Sequence, residues 1–335
     1  MLYDTGIVVI ARNEGERLKR CLASCAGVAR RVVFSDSGSS DGSAAHARSM
    51  GVEVVELQKP WNQPRGRNAG FQRLLELAAD VKYVFFMDGD CQLVPGFLDA
   101  ARARMEGDPA LGAVCGRRLE IAPEASIYNR LVHMEWNTAI GDSDCGGDML
   151  LRVDALRRLD GYREGMVSGE DFELCHRLRA AGLRVARIDA DMTWHDVSIH
   201  RFSAWWKRHA RGGYSYAHTA ALNWGAPGTP KLRNLRTIVA WGLVLPLAGL
   251  ALAPFTSGVS LLVYVALNGA LWWRVRRWRM REMNDSARDA GSYALYIAIG
   301  KIAEFQGVAW FLWKYLRGRA FSYVEYKDYQ KPGAR

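Results

Sequence analysis

Tyr83-Val-Phe-Phe-Met-Asp88-Gly89-Asp90-Cys91-Gln-Leu93 is the stretch around which the chain is organised. Large apolar residues run without interruption into two carboxylates separated by one glycine. A short, nearly all-apolar run of this kind fits a strand buried on both faces, the pattern of a parallel sheet. The carboxylates then fall where the strand ends, which is the ligand edge of an open α/β sheet. Two acids this close repel each other, and a shared cation relieves the repulsion. Their hard oxygens suit Mg2+ or Mn2+. Asp-Gly is also common turn chemistry, so the stretch alone permits a plain strand followed by a polar turn.

Upstream, Gly6-Ile-Val-Val-Ile-Ala11 reads as a β-branched strand. It precedes Arg12-Asn-Glu14-Gly15 and an amphipathic helix ending near residue 25. Arg31-Val-Val-Phe-Ser35 is a second strand that ends in Asp36-Ser-Gly-Ser-Ser-Asp41-Gly-Ser43. Asp41 or Ser43 would cap the helix that follows. Val52-Glu-Val-Val-Glu56 is a third strand. Residues 63–70 read as a basic loop carrying Arg67, leading into a helix over residues 71–79. Alternating strands and helices predict an α/β fold with a mostly parallel sheet and right-handed crossovers. Asp36 and Asp88 would lie together in the crevice at the strand ends.

The chain has 335 residues, enough for two domains, and is aromatic-rich, with 12 Trp. Its net charge of +10 raises nucleic acid as a partner. Eight basic residues and no acidic one lie between Lys231 and Arg281, flanking an apolar segment. That distribution fits a membrane surface and argues against nucleic-acid binding. The cysteines Cys21, Cys25, Cys91, Cys115, Cys145 and Cys175 form no CxxC pair and no zinc spacing, so reduced cytosolic thiols are expected. No signal peptide is expected, because Arg12 and Glu14 interrupt a first apolar run of only strand length.

Taken in order, these motifs resemble the family 2 glycosyltransferases, inverting enzymes of the GT-A fold that use nucleotide-sugar donors. Ile10-Ala-Arg-Asn-Glu14 resembles the family's first-strand motif without its common proline. Asp36-Ser-Gly-Ser-Ser-Asp41 resembles its second-strand turn, with Ser37 in place of a frequent Asp. Arg65-Gly-Arg67-Asn68-Ala-Gly70 resembles its Arg-Asn-x-Gly loop, and Asp88-Gly89-Asp90 its metal motif. The resemblance implies a mixed, mostly parallel sheet with flanking helices. Ala11, Arg12, Glu14 and Gly89 would line the donor pocket. Asp36 would contact the base or ribose, or else cap a helix. Arg67 would reach the phosphates, or else be a solvated loop cation. Asp88 would lie near the ribose and metal, and Asp90 would bind the metal directly.

The second half carries the chemistry that the resemblance implies. Cys145-Gly-Gly147-Asp148 resembles the glycine-rich strand beneath the donor sugar. Ser168-Gly-Glu170-Asp171 resembles the Glu-Asp motif, whose Asp is the base that takes the acceptor's proton; an acid there also suits the start of a helix, expected over residues 174–181. A strand over residues 185–188 precedes Met192-Thr-Trp-His195. His195 would be a third metal ligand or a structural histidine. Trp205 and Trp206 would stack on an acceptor sugar or sit at a membrane interface. The Gln-x-x-Arg-Trp motif of processive synthases is absent from this region, which favours addition of a single sugar.

Residues 1–230 are thus expected to form the catalytic domain and residues 231–335 a helical membrane module. No charge occurs from Thr237 to Trp273, and Pro254-Phe-Thr-Ser-Gly258 reads as a turn between two arms, residues 238–253 and 259–273. Each arm is short for a span at about 1.5 Å per residue. Basic residues on both flanks predict a hairpin with both ends in the cytoplasm. Residues 290–313, with Lys301 and Glu304 one turn apart, would be a third span or an interfacial helix. Basic residues from Lys314 to Arg319 favour the interfacial form. The expected protein is a metal-dependent glycosyltransferase at the cytoplasmic membrane, facing the cytosol. It would transfer sugar to a lipid-linked or glycan acceptor in polysaccharide or glycolipid assembly. Polyprenyl phosphate as the acceptor, or a non-catalytic nucleotide-sugar-binding subunit, are the alternatives.

Overall fold

The computed structural model describes residues 2–225 and 230–318. In chain order its first half comprises β1 (Leu2–Ala11), α1 (Glu16–Cys25), β2 (Ala29–Asp36), α2 (Ser43–Ser49), β3 (Glu53–Glu56), α3 (Gln63–Leu77), β4 (Tyr83–Asp88), β5 (Cys91–Leu93) and α4 (Phe97–Glu106). There follow β6 (Leu111–Glu120), α5 (Ile127–Trp136), β7 (Gly141–Asp142), β8 (Met149–Arg152), α6 (Val153–Arg158), α7 (Glu170–Ala180), β9 (Arg184–His195) and α8 (Phe202–Leu222). One sheet runs in the order β3-β2-β1-β4-β8-β6-β9-β5, with β7 added to β9. β1 to β4, β6 and β9 run one way; β5, β7 and β8 run the other. The sheet is therefore mixed and mostly parallel, as expected. Val84, Phe85, Phe86 and Met87 are fully buried at its centre, which accounts for the apolar run into Asp88.

Register gathers the motif ends. Ala11 pairs with Asp36 of β2, and its neighbour Ile10 pairs with Asp88 of β4. Three consecutive strand ends thus open on one edge.

Residues 63–70 are not a loop. They form the first turns of α3, because Asn62 accepts from the Arg65 N–H at 2.9 Å and Pro64 occupies the first turn. The glycines serve packing: a side chain at Gly70 would collide with Val8, so α3 lies directly on the sheet. α7 begins at Glu170, four residues before the helix expected from periodicity, because an acidic first turn suits a helix N-terminus. Neither Asp41 nor Ser43 caps α2; Gly42 holds that position, and Asp41 accepts from the Ser43 N–H at 3.0 Å. Residues 184–195 form one long strand rather than two pieces. All six cysteines are buried and free.

After the expected boundary, which falls beside the undescribed residues 226–229, come α9 (Leu232–Val239), a π-helical turn over Ala240–Val244, α10 (Leu245–Leu252), α11 (Val259–Glu282) and α12 (Ala287–Leu316). The turn at residues 254–258 is present, with Gly258 at φ 85°. Two helical segments, Leu232–Leu252 and Ala287–Leu316, are long and apolar enough to cross a membrane. α11 runs on through the basic residues that were expected to end the hairpin. Buried Arg279 donates to the Met134 carbonyl at 3.0 Å and pairs with Asp285, tying this helix to α5. α12 packs along α8, with no room for a side chain between Gly213 and the Glu304 backbone or between Gly307 and the Ala210 backbone. Of the basic residues that follow it, Arg319 lies outside the described residues.

Candidate active site

The strand ends, α3, α5, α7, α8 and α12 enclose a cavity of about 440 Å3. Ala11, Arg12, Glu14, Arg67, Asp88, Gly89, Asp90, Asp171 and His195 all line it. Asp36 does not. It is 2% exposed, and its two oxygens accept from the Ser39 N–H at 3.0 Å and the Ser39 hydroxyl at 2.5 Å. The carboxylate organises its own turn, a use that Asp and Ser in close sequence commonly find. At the same end, Arg12 stacks on Trp61 at 4.2 Å, and Glu14 pairs with Arg17 at 2.6 Å.

Arg67 is the hub. Its side chain is 2% exposed, held by α3 beneath the sheet edge. Nη1 lies 2.5 Å from Glu170 and 3.4 Å from Asp171, while Nη2 lies 3.1 Å from Asp88. Its guanidinium therefore joins the α7 acids to the end of β4 instead of standing free for phosphate. Gly147 permits this, since a Cβ there would lie 2.6 Å from Arg67 Nη2 and 2.8 Å from Asp88 Oδ2.

Asp171 sits on the cavity wall with 18% of its side chain exposed. Its Oδ1 accepts no hydrogen bond among the described residues. Burial pushes its carboxyl up to about 8, Arg67 opposes, and the charges of Glu170 and Asp88 add to the rise.

On the other side of Asp88 stands Arg118 of β6, 3.5 Å from Asp88 and 2.7 Å from fully buried Asp148. Burial alone would raise the Asp148 carboxyl. Arg118, the Asp88 N–H and the Thr193 hydroxyl outweigh it and hold that carboxyl below the usual range.

His195 Nε2 lies 3.5 Å from Asp90 Oδ1. Behind it, Nδ1 faces buried Glu120 at 3.8 Å, which orients the ring with Nε2 toward the cavity. The carboxylate oxygens suit Mn2+ or Mg2+, and an imidazole nitrogen suits borderline transition-metal ions. Two guanidiniums, Arg67 and Arg118, are shared among Asp88, Asp148, Glu170 and Asp171. Asp90 and His195 lie side by side, whereas Asp88 is engaged by the two arginines.

The far end of the cavity holds residues that no motif announced. Arg208 pairs with Glu135 at 2.6 Å, and His209 lies 3.8 Å from Glu304, which also takes Lys301 at 2.7 Å. Arg118, Glu120, His209 and Glu304 lie outside the quoted motifs; the apolar setting of Lys301 and Glu304 was the one available signal. Trp205 is 1% exposed and packed against Tyr296 and His209, so it serves neither as a sugar platform nor at a membrane interface. Trp206 donates to Gln306 at 2.6 Å.

This sheet, with its crevice of acids and its helical flank, is the GT-A fold of nucleotide-diphospho-sugar transferases. A mannosyltransferase from Pyrobaculum calidifontis, solved with GDP-Man and Mn2+, superposes with a TM-score of 0.62 at 20% identity, over 92% of this chain and 87% of that one. Residues 6–152 match the family model for glycosyl transferase family 2. The pre-mycofactocin glycosyltransferase of Mycobacterium tuberculosis is 26% identical over 211 residues, 58% of this chain and 43% of that protein. The succinoglycan biosynthesis protein ExoA of Rhizobium meliloti is 24% identical over 204 residues, 55% of this chain and 60% of that protein. The chain thus spans about half the length of the curated relatives it matches.

Proposed function

We propose that the chain is a membrane-anchored inverting glycosyltransferase. It would move a sugar from a nucleotide-sugar donor to a membrane-associated glycan or lipid acceptor, with Asp171 as the base. The observation that carries this reading is the position of Arg67. One guanidinium holds Asp171 of α7 against Asp88 of β4, so the proton acceptor and the donor-side acids share one wall.

In this reading Ala11, Arg12, Glu14 and Gly89 hold the nucleoside end, with Trp61 stacked on Arg12 closing it. Asp88 faces the ribose, and Asp90 and His195 hold Mg2+ or Mn2+. When bound, the cation supplies charge stabilisation to the departing diphosphate. Asp171, pushed up to about 8, is a base poised near neutral pH, matched to an acceptor hydroxyl. The acceptor would enter along α8 and α12, where Arg208, His209 and Glu304 line the cavity beside a helix long enough to cross a membrane. That approach supports an acceptor held at the membrane, with the catalytic domain on the cytosolic side where nucleotide sugars are made. The resemblance to a succinoglycan biosynthesis protein supports cell-surface polysaccharide or glycolipid assembly.

The test is Asp171→Asn, which keeps shape and removes the proton acceptor. A positioned base contributes about 10²–10⁴-fold, so kcat should fall by that order while donor affinity changes little. A folded variant with wild-type kcat would defeat the assignment.

A further inference from the structure

The floor of the cation seat holds a thiol. Asp90 Oδ1, Cys91 Sγ and His195 Nε2 or Nδ1 lie within 4.8 Å of one another. The arrangement follows from the sheet: Cys91 of β5 pairs directly with His195 of β9, and Asp90 precedes Cys91 at the turn. Cys91 Sγ lies 3.8 Å from Asp90 Oδ1, and His195 Nε2 lies 3.5 Å from the same oxygen. A tetrahedral Zn2+ with sulfur, nitrogen and oxygen ligands at about 2.0–2.3 Å sets those ligand atoms about 3.3–3.6 Å apart. Two of the three spacings already match to within a few tenths of an ångström. The third, between His195 and Cys91, is no more than 4.8 Å.

We propose that Asp90, Cys91 and His195 form a second mode of cation binding, selective for borderline-soft divalent ions such as Zn2+ and Co2+, in which Cys91 ligates as thiolate. This rests on the reading that Asp90 and His195 seat a hard cation, and it adds a ligand that such a cation does not use. Mg2+ and Mn2+ prefer oxygen donors and leave the thiol protonated. Zn2+ and Co2+ displace the proton: the S–H bond breaks, a metal–sulfur bond forms, and the proton leaves to solvent. The soft cation would sit deeper, toward β5, and exclude the hard one. Micromolar zinc would then inhibit donor turnover in competition with Mn2+.

The experiment uses the full chain in detergent micelles, loaded with Co2+ and separately with Zn2+. Expected are a near-ultraviolet thiolate-to-cobalt charge-transfer band and one sulfur scatterer at about 2.3 Å in the zinc X-ray absorption spectrum. In Cys91→Ser the band should vanish. Zn2+ affinity should fall at least about tenfold while Mn2+ affinity is unchanged. A wild-type spectrum with nitrogen and oxygen scatterers only, or a cobalt band that survives Cys91→Ser, overturns the proposal. The zinc spectrum of wild type decides the question even if the variant misfolds. Neither spectrum depends on sugar transfer, so their outcome is separate from that of the Asp171 assay.

Discussion

Replacing Arg67 should make the protein's stability fall further with rising pH than it does in the wild type. Its guanidinium, 2% exposed, is shared among Asp88, Glu170 and Asp171 at 3.1, 2.5 and 3.4 Å. Arg67→Met preserves much of the volume and removes the charge. Asp88 then keeps Arg118, but Glu170 and Asp171 have no other ion pair among the described residues. Stranding buried charge in this way costs about 3–5 kcal/mol, which for a catalytic domain of this size is a fall in Tm on the order of 10 °C. The pH dependence follows from Asp171. Its folded carboxyl already titrates at about 8, far above its unfolded value, and losing Arg67 moves it further up. The folded variant therefore keeps a proton that the unfolded chain gives up, and stability falls as pH rises. Below about pH 6 Asp171 is neutral in both proteins, and the deficit should shrink toward the share owed to Glu170. Above pH 8 the deficit should be largest. Melting curves of wild type, Arg67→Met and Arg67→Lys between pH 5.5 and 9 measure this. Lysine keeps the charge without the planar fork and should fall between the other two. A deficit that is constant across pH, or that grows toward acid, refutes the role of Arg67 as the partner of these carboxylates.

Three further outcomes are expected. Gly147→Ala places a methyl 2.6 Å from Arg67 Nη2 and 2.8 Å from Asp88 Oδ2, so calorimetry should show weakened donor binding and melting a loss of about 1–3 kcal/mol. Chelator should abolish transfer and Mn2+ or Mg2+ restore it, with Asp90→Asn weakening cation-dependent donor binding; full activity in chelator would contradict the cation seat. The protein should stay with membranes through high salt and carbonate and leave only with detergent, whereas release by salt alone would indicate electrostatic adsorption.

The centre of the fold was legible because its physics is local. An apolar run of this length reads as a strand buried on both faces, and register then sets its Asp88 end beside Ile10 and Ala11. Asp171 was legible for a similar reason, as an acid in the first turn of a helix after a glycine. An error arose where a residue type has two local meanings. Arg-Gly-Arg-Asn-Ala-Gly reads as a loop by composition, yet Asn62 caps it and the glycines let the helix press on Val8. Asp36 lies at the strand end as its position implies, and Ser39 hydrogen-bonds to its oxygens. Arg118 and Glu120 were illegible because an isolated charge late in a strand acquires its meaning from β4, β8 and β9, which only the folded sheet brings alongside.

The division of the chain near residue 230 is true of composition but incomplete for the site. An apolar segment with flanking arginines looks like an anchor, and an anchor need only hold the domain at a surface. α12 is placed to do more. Glycines on both helices let it approach α8 to backbone contact, closer than any larger side chain permits. At that seam the two charges within the apolar run serve the interior: Lys301 neutralises Glu304, and Glu304 faces His209 across the cavity. A carboxylate on a helix of this apolarity is costly unless it is paired and turned inward, and here it is both. The same segment that is apolar enough to enter a membrane therefore forms part of the cavity wall. An acceptor held in the bilayer would meet the site along the helix it has already touched.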